Sequence, residues 1–213
     1  MLVFIPIKEN SQRVPRKNFR DFGGVPLYKH TLYKLTKHDV YVDTDSEEVK
    51  EGIRRDPLLS SVKCIDREET LVGDKVSVCD LISNFVEKYY ISQPIIQIHV
   101  TSPFLELKTL EDAYSKMGEY DSVVACNVLQ TRLWRKEGYG YCPINHNPMK
   151  LQQTQELPEI YEENSAFYIF NPEIIKLGNR IGKNPLFYPL TSPENLDIDT
   201  EMDFKNCLEA LGR

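Results

Sequence analysis

The sequence predicts an α/β fold, a mostly parallel central sheet flanked by helices, in a single domain over residues 1–213. Three observations carry this. Short apolar runs such as Ile95–Ile98 alternate with longer segments of helical period. Strands separated by helices call for right-handed crossovers and parallel pairing. Polar, chemistry-bearing residues follow the apolar runs directly, as they do in sheets that bind ligands beyond the carboxyl ends of their strands.

The elements follow in order. Leu2–Ile7 reads as a buried first strand and Leu27–Lys37 as a helix with Leu27, Leu32 and Leu35 among its apolar positions. Val40–Val42 is a short strand. A helix opens at Ser46, where Glu47 and Glu48 suit the positive end of the helix dipole. Val62–Ile65 is strand-like. Val78, Leu81, Ile82, Phe85, Val86 and Tyr89 then follow the helical i, i+3, i+4, i+7 template. After Ile95–Ile98, a helix runs through Leu107, Leu110, Tyr114 and Met117, and Ser122–Val128 is a strand. Thr200, with Asp203 three residues on, marks the N-cap of a last helix whose apolar face is Phe204, Cys207, Leu208 and Leu211. Residues 130–163 break the rhythm with Trp134, Gly138, Gly140, Pro143, Pro148 and Pro158. A structureless loop of that length is improbable in a compact domain, so the stretch reads as an inserted arm that packs on a partner subunit or covers the site.

Bulk properties narrow the function. At 213 residues and 41% hydrophobic the chain can bury a core. No apolar run approaches the roughly 20 residues needed to cross a bilayer. Leu2–Ile7 is too short for a signal-peptide core and has no basic segment before it. The cysteines, at 64, 79, 126, 142 and 207, are odd in number and form no CxxC pair. That argues against a disulfide framework or a structural zinc site and makes a reducing cytoplasm the expected setting. The net charge is −6, yet residues 1–37 hold eight Lys/Arg against Glu9 and Asp21, a local +6 that leaves −12 for the remainder. A general nucleic-acid binder would spread its positive charge over a face. One concentrated basic segment fits a compact polyanion, with a solvated charge run as the plainer alternative.

Spacing bears on that choice. The run Lys8-Glu9-Asn10-Ser11-Gln12-Arg13-Val14-Pro15-Arg16-Lys17-Asn18 directly follows the first strand, and five cations fall between residues 8 and 20. A loop there presents backbone N–H groups, polar side chains and cations to phosphates. Neither GxxxxGK[ST] nor GxGxxG occurs, so a Walker-type NTPase or a dinucleotide-binding dehydrogenase is not indicated. Asp197-Ile198-Asp199-Thr200 sets two carboxylates before the last helix. Such a pair suits Mg²⁺, which takes one or two carboxylates plus phosphate oxygens, but Asp199 or Thr200 could equally serve only as a helix cap. Asp43-Thr44-Asp45 has turn and capping duties as an equal explanation. Thr101-Ser102-Pro103 closes the apolar strand behind His99, where hydroxyls could meet a sugar or simply make a turn.

Six segments in register carry a resemblance: 5–18, Phe-Gly-Gly-x-Pro-Leu (22–27), Val-Asp-Thr-Asp (42–45), Thr-Ser-Pro (101–103), Glu-Asn-Ser-Ala-Phe-Tyr-Ile (163–169) and Asp-Ile-Asp-Thr-Glu-x-Asp (197–203). Together they resemble the acylneuraminate cytidylyltransferases, enzymes that make CMP-sialic acids and are related to the 3-deoxy-octulosonate cytidylyltransferases. The resemblance implies a Rossmann-like nucleotidyltransferase fold and a homodimer whose arms reach the partner's site. It implies CTP and an acidic nonulosonic sugar as substrates and Mg²⁺ as cofactor, with no nucleic acid or membrane as partner. Lys17 and Asp199 become the expected catalytic residues, and Asp197 with Asp199 the metal carboxylates. Lys8, Asn10, Ser11, Arg13, Lys17, Asn18, Arg67, Asp74 and Ser77 fall on the nucleotide side, and His99, Thr101, Ser102 and Asn164 on the sugar side. The implied reaction is attack of the sugar's anomeric hydroxyl on the α-phosphorus of CTP, with pyrophosphate leaving. Lys8, Gln12, His99, Val100 and Glu162 depart from the family's usual residues. Glu162 stands near where an arginine helps with the sugar's carboxylate, so Arg132, Arg135 or Lys150 on the arm become candidates for that cation. Three rivals remain: a glycosyltransferase with an Asp-x-Asp metal site, a relative that binds without turnover, and a relative that activates a different acid sugar.

Overall fold

The computed structural model describes residues 1–73 and 75–212. In chain order the elements are β1 (Leu2–Ile7), β2 (Asp21–Phe22), β3 (Val25–Pro26), α1 (Leu27–Leu35), β4 (Asp39–Thr44), α2 (Glu47–Arg54), β5 (Lys63–Asp66), α3 (Val78–Tyr89), β6 (Ile95–Ile98), α4 (Leu107–Ser115), β7 (Ser122–Leu129), β8 (Trp134–Glu137), β9 (Gly140–Pro143), β10 (Ile160–Phe170), α5 (Pro172–Ile175), β11 (Pro185–Pro189) and α6 (Glu201–Leu211). A seven-stranded sheet runs β11-β7-β10-β6-β1-β4-β5. All neighbours are parallel except β10, which runs antiparallel to both β6 and β7.

Both faces of the sheet are covered, which is why its central strands read as continuous apolar runs. On β1, Val3, Ile5 and Ile7 face a core shared with α1, α2 and α4, while Leu2 and Phe4 face α3 and α5. A third cluster, Phe22, Leu27, Ile198, Phe204 and Cys207, packs α6 and the segment before it against the β2–β3 turn.

Caps fix where three helices begin. Ser46 Oγ accepts from Val49 N at 3.4 Å, and Ser77/Asp80 and Thr200/Asp203 each form a reciprocal capping box. Each box satisfies two N–H groups that would otherwise lack partners. The arm region contains the β8–β9 hairpin, whose strands are almost wholly exposed, and the main sheet resumes at Ile160.

A cleft built from the first loop, the start of α3 and the end of β6

The carboxyl ends of β1 and β6 and the amino end of α3 enclose a cleft of about 350 Å³. The loop after β1 forms one wall. Buried Val14 anchors it, and its chain turns through Arg16, held in the left-handed region at φ 53°, into a single 3₁₀ turn at Lys17–Phe19. Asn18, only 6% exposed, donates from Nδ2 to the Lys8 carbonyl at 3.1 Å and so ties the loop's end to its beginning.

The five loop cations divide into two groups. Arg16 Nη2 donates to both carboxylate oxygens of Glu48 on α2, at 2.9 and 2.8 Å, and the guanidinium stacks over Phe19. Arg20 Nη1 donates to both carboxylate oxygens of Glu201 on α6, at 2.8 and 2.7 Å, and the guanidinium stacks over Phe204. These two brace the loop from outside, a role the sequence did not signal. Lys8, Arg13 and Lys17 line the cleft with Asn10, Ser11 and Asn18. Lys8 Nζ also reaches the Gly73 carbonyl at 3.3 Å.

Asp197-Ile198-Asp199 meets this loop. Ile198 is fully buried in the third cluster, and its N–H donates to the Thr101 carbonyl at 2.9 Å. Lys17 Nζ donates to the Ile198 carbonyl at 2.5 Å and stands 3.8 Å from Asp199 Oδ1, which Arg13 also pairs at 2.6 Å. Thr200 and Asp203 cap α6 between them, so the Asp199 carboxylate is left to face the loop cations. Burial raises the Asp197 pKa above the ordinary carboxylate range, against the pull of the Thr101 hydroxyl, and the neighbouring Asp199 charge raises it further. Burial likewise lowers the Lys17 pKa, while Asp197 and Asp199 work to raise it.

His99 lies partly exposed at the cleft floor, and its backbone N–H donates to the Ala166 carbonyl. Desolvation, with the Arg180 and Lys17 charges, pushes its pKa down to about 4, so at neutral pH it is an uncharged imidazole. Thr101 lines the cleft too. Ser102 lies behind it, buried, with Oγ donating to Asp197 Oδ1 at 3.3 Å.

Other expected residues fall outside the cleft. Arg67 is buried beneath it, with Nε on Asp43 Oδ1 at 2.6 Å and Nη2 on the Asp43 carbonyl at 3.0 Å. It joins the ends of β4 and β5 rather than facing solvent. Ser77 has its hydroxyl in the α3 capping box, while its neighbours Val76 and Val78 line the cleft. Asp74 lies outside the described residues. Asn164 sits at a bulge in β10, before Ser165 at φ 63°, and its Oδ1 accepts from Ala166 N at 3.0 Å. Asp43-Thr44-Asp45 has structural partners: Arg67 for Asp43, Ser46 N for Thr44 Oγ1, and Glu9 N for Asp45. On the arm, Arg135 pairs with Glu137 and Arg132 donates to the Gln152 carbonyl.

The sequence model of the family described as cytidylyltransferase matches residues 2–210. The chain belongs to that family. This cytidylyltransferase is 25% identical to an N-acylneuraminate cytidylyltransferase of Streptococcus agalactiae serotype V, over 95% of its own length and 51% of the relative's. With N-acylneuraminate cytidylyltransferase A of Danio rerio it shares 29% identity over 91% of its length and 46% of the relative's. It thus spans about half the length of these curated relatives. A pseudaminic acid cytidylyltransferase of Campylobacter jejuni is 24% identical and is covered over 93% of its length, against 96% of this chain. Among solved structures, a CMP:2-keto-3-deoxy-manno-octonic acid synthetase complexed with CTP superposes at a TM-score of 0.70 with 13% identity, over 99% of this chain and 98% of that one. That likeness establishes a shared nucleotidyltransferase fold. Among the described residues no helix is long and apolar enough to cross a membrane.

Proposed function

We propose that this cytidylyltransferase transfers CMP from CTP to the anomeric hydroxyl of an acidic nonulosonic sugar. The carrying observation is Lys17, held between the Ile198 carbonyl and Asp199 on the wall of a cleft that also presents Lys8, Arg13, Asn10 and Ser11. Triphosphate chemistry needs positioning and neutralisation of charge spread over phosphate oxygens. Lys8 and Arg13 hold the phosphates; Lys17 stabilises charge as the oxygen–α-phosphorus bond forms and the bond to pyrophosphate breaks. The hydroxyl's proton goes to one of two candidate groups, His99 on the cleft floor or a carboxylate near the metal. The names of the relatives support an acid sugar as acceptor.

Asp197 and Asp199 fit Mg²⁺. They are two adjacent hard-oxygen ligands, and one is strained by burial and by the other's charge. Mg²⁺ commonly takes one or two carboxylates and completes its shell with phosphate oxygens and water. When bound, the ion would polarise the α-phosphate. The five free thiols suit a reducing, cytoplasmic setting.

Pyrophosphate release tests the reading. Purified protein with Mg²⁺ is expected to release it only from CTP among the four nucleoside triphosphates and only with an acid sugar present. EDTA should abolish release. CTP binding without turnover on N-acetylneuraminate, pseudaminate or 3-deoxy-manno-octulosonate would leave a binding protein instead.

A homodimer is part of the same proposal. The arm exposes Trp134, Tyr139, Tyr141, Met149 and Leu151, with Met149 at 91% and Leu151 at 92%, far more apolar surface than a hairpin facing water sustains. A second copy is the occupant proposed, and light scattering should give twice the chain's 24.8 kDa. A monomer mass at micromolar concentration would sink the dimer.

A further inference from the structure

We infer that Arg180 is a specificity-determining residue that receives the carboxylate of the acid sugar. This rests on the function proposed above and adds a residue to which neither the sequence motifs nor the cleft assigns a role.

The inference begins from a census of arginines. Among the described residues, Arg13, Arg16, Arg20, Arg54, Arg55, Arg67 and Arg135 each pair with a carboxylate. Arg132 lies exposed on the arm. Arg180 is partly buried, yet no carboxylate lies within ion-pair distance of it among those residues. Its partners are neutral. Nη1 donates to Gln97 Oε1, and the guanidinium lies 3.8 Å above the centre of the Tyr168 ring. Gln97 is 0% exposed and Tyr168 2%, and the two stand directly opposite each other on β6 and β10. Tyr168 is fixed in turn by Glu163, whose Oε2 accepts its hydroxyl at 2.8 Å. Because a guanidinium only donates, Gln97 must turn its oxygen toward Arg180, and Gln97 Nε2 is left buried without an acceptor.

The fork is therefore held rigidly but not neutralised. A desolvated cation without a counter-ion is unfavourable, so an arriving anion is favoured there. A carboxylate can take two parallel N–H bonds from the planar guanidinium. Position agrees with this. Gln97 on β6 and His99, the residue just past its end, are two positions and so about 6–7 Å apart along the chain, and His99 floors the cleft that holds the cations proposed for the triphosphate. The Arg180 charge is felt at His99 and helps to depress its pKa. In a 2-keto acid sugar the anomeric carbon is bonded to the carboxylate carbon. Fixing the carboxylate at Arg180 would thus hold the anomeric hydroxyl near His99, on the side facing the α-phosphorus.

The experiment compares wild type, Arg180→Gln and Arg180→Lys, on whichever of N-acetylneuraminate, pseudaminate and 3-deoxy-manno-octulosonate the wild type turns over, and on the C1 carboxamide of that sugar. In Arg180→Gln the sugar KM is expected to rise about 30-fold or more while the CTP KM stays within about twofold. The preference for carboxylate over carboxamide should collapse. Arg180→Lys keeps the charge but loses the fork, and should retain part of that preference; it also provides the comparison should the glutamine variant fail to fold. An unchanged preference in both variants, or equal rises in both KM values with a lowered melting temperature, would mean that Arg180 only braces the sheet, and would overturn the inference. Wild-type failure on every acid sugar would instead overturn the proposed function, and this inference with it.

Discussion

Lys17→Ala should lower kcat by about 10²–10³-fold, the usual cost of removing one preorganised charge-stabilising donor. The loss should fall on kcat more than on the CTP KM. In the proposed reaction Arg13 and Lys8 would still hold ground-state phosphates, whereas Lys17, against Asp199 and the Ile198 carbonyl, would act where charge shifts as pyrophosphate departs. Arg is a poor substitute, because its planar fork must fit where a single ammonium is 12% exposed. Burial also moves the titration of Lys17 below the ordinary lysine range, so the wild-type rate should fall on the alkaline side earlier than a surface lysine would dictate. That limb should be absent from the residual activity of Lys17→Ala. Circular dichroism should be unchanged, since the removed side chain is not part of any core cluster. Near-normal turnover would remove Lys17 from the mechanism.

Arg67→Ala should be the most destabilising of the substitutions considered, by about 3–5 kcal/mol, because it strands a buried charge. Arg67 and Asp43 are 1% and 2% exposed at their side chains. Burial raises the Asp43 pKa, and Arg67 is the largest influence restraining it. Without the guanidinium, Asp43 must either take a proton or admit water. A loss of that size corresponds to a fall in Tm of about 6–20 °C for a chain of this length. Replacing both partners, as Arg67→Met with Asp43→Leu, should recover much of it, since the penalty lies in the unpaired charge. Because Arg67 Nη2 also reaches the Ile7 carbonyl at 3.4 Å, CTP binding should weaken even where the fold survives. A Tm within 2 °C of wild type, against the effect expected for a buried pair, would show that water already screens it.

Much of this was legible in the sequence because it is local. The strands at 2–7 and 95–98 and the start of the one at 122–129 are buried on both faces and read as largely apolar runs. The caps at Ser46 and Thr200 were readable from a polar residue followed by acids. β10 was quoted as a motif but not seen as a strand. Its first half, Tyr161-Glu162-Glu163-Asn164, is polar because it leaves the core, and the bulge after Glu163 breaks the two-residue period. β11 begins and ends in proline, which an edge strand accepts but a sequence pattern discounts. In the site, the first loop and Asp197–Asp199 announce themselves by residue type. The Arg67–Asp43 pair does not: the two are 24 residues apart and meet only because β4 and β5 lie parallel in register. Arg180 has no signal in Gly178-Asn179-Arg180; its place depends on the chain's return after β10.

The contact between Arg13 and Asp199 spans 186 residues of sequence and acts as a latch between the two ends of the chain. Its partners are 68% and 42% exposed, so it is weak and opens easily in water. In the proposed function it would keep the free loop near its working shape and yield to the first phosphate to arrive. Incoming charge then exchanges one partner for another instead of piling onto a bare positive surface. The encounter is consequently less sensitive to ionic strength than three open cations would make it, and stray polyanions gain little by lingering in the cleft.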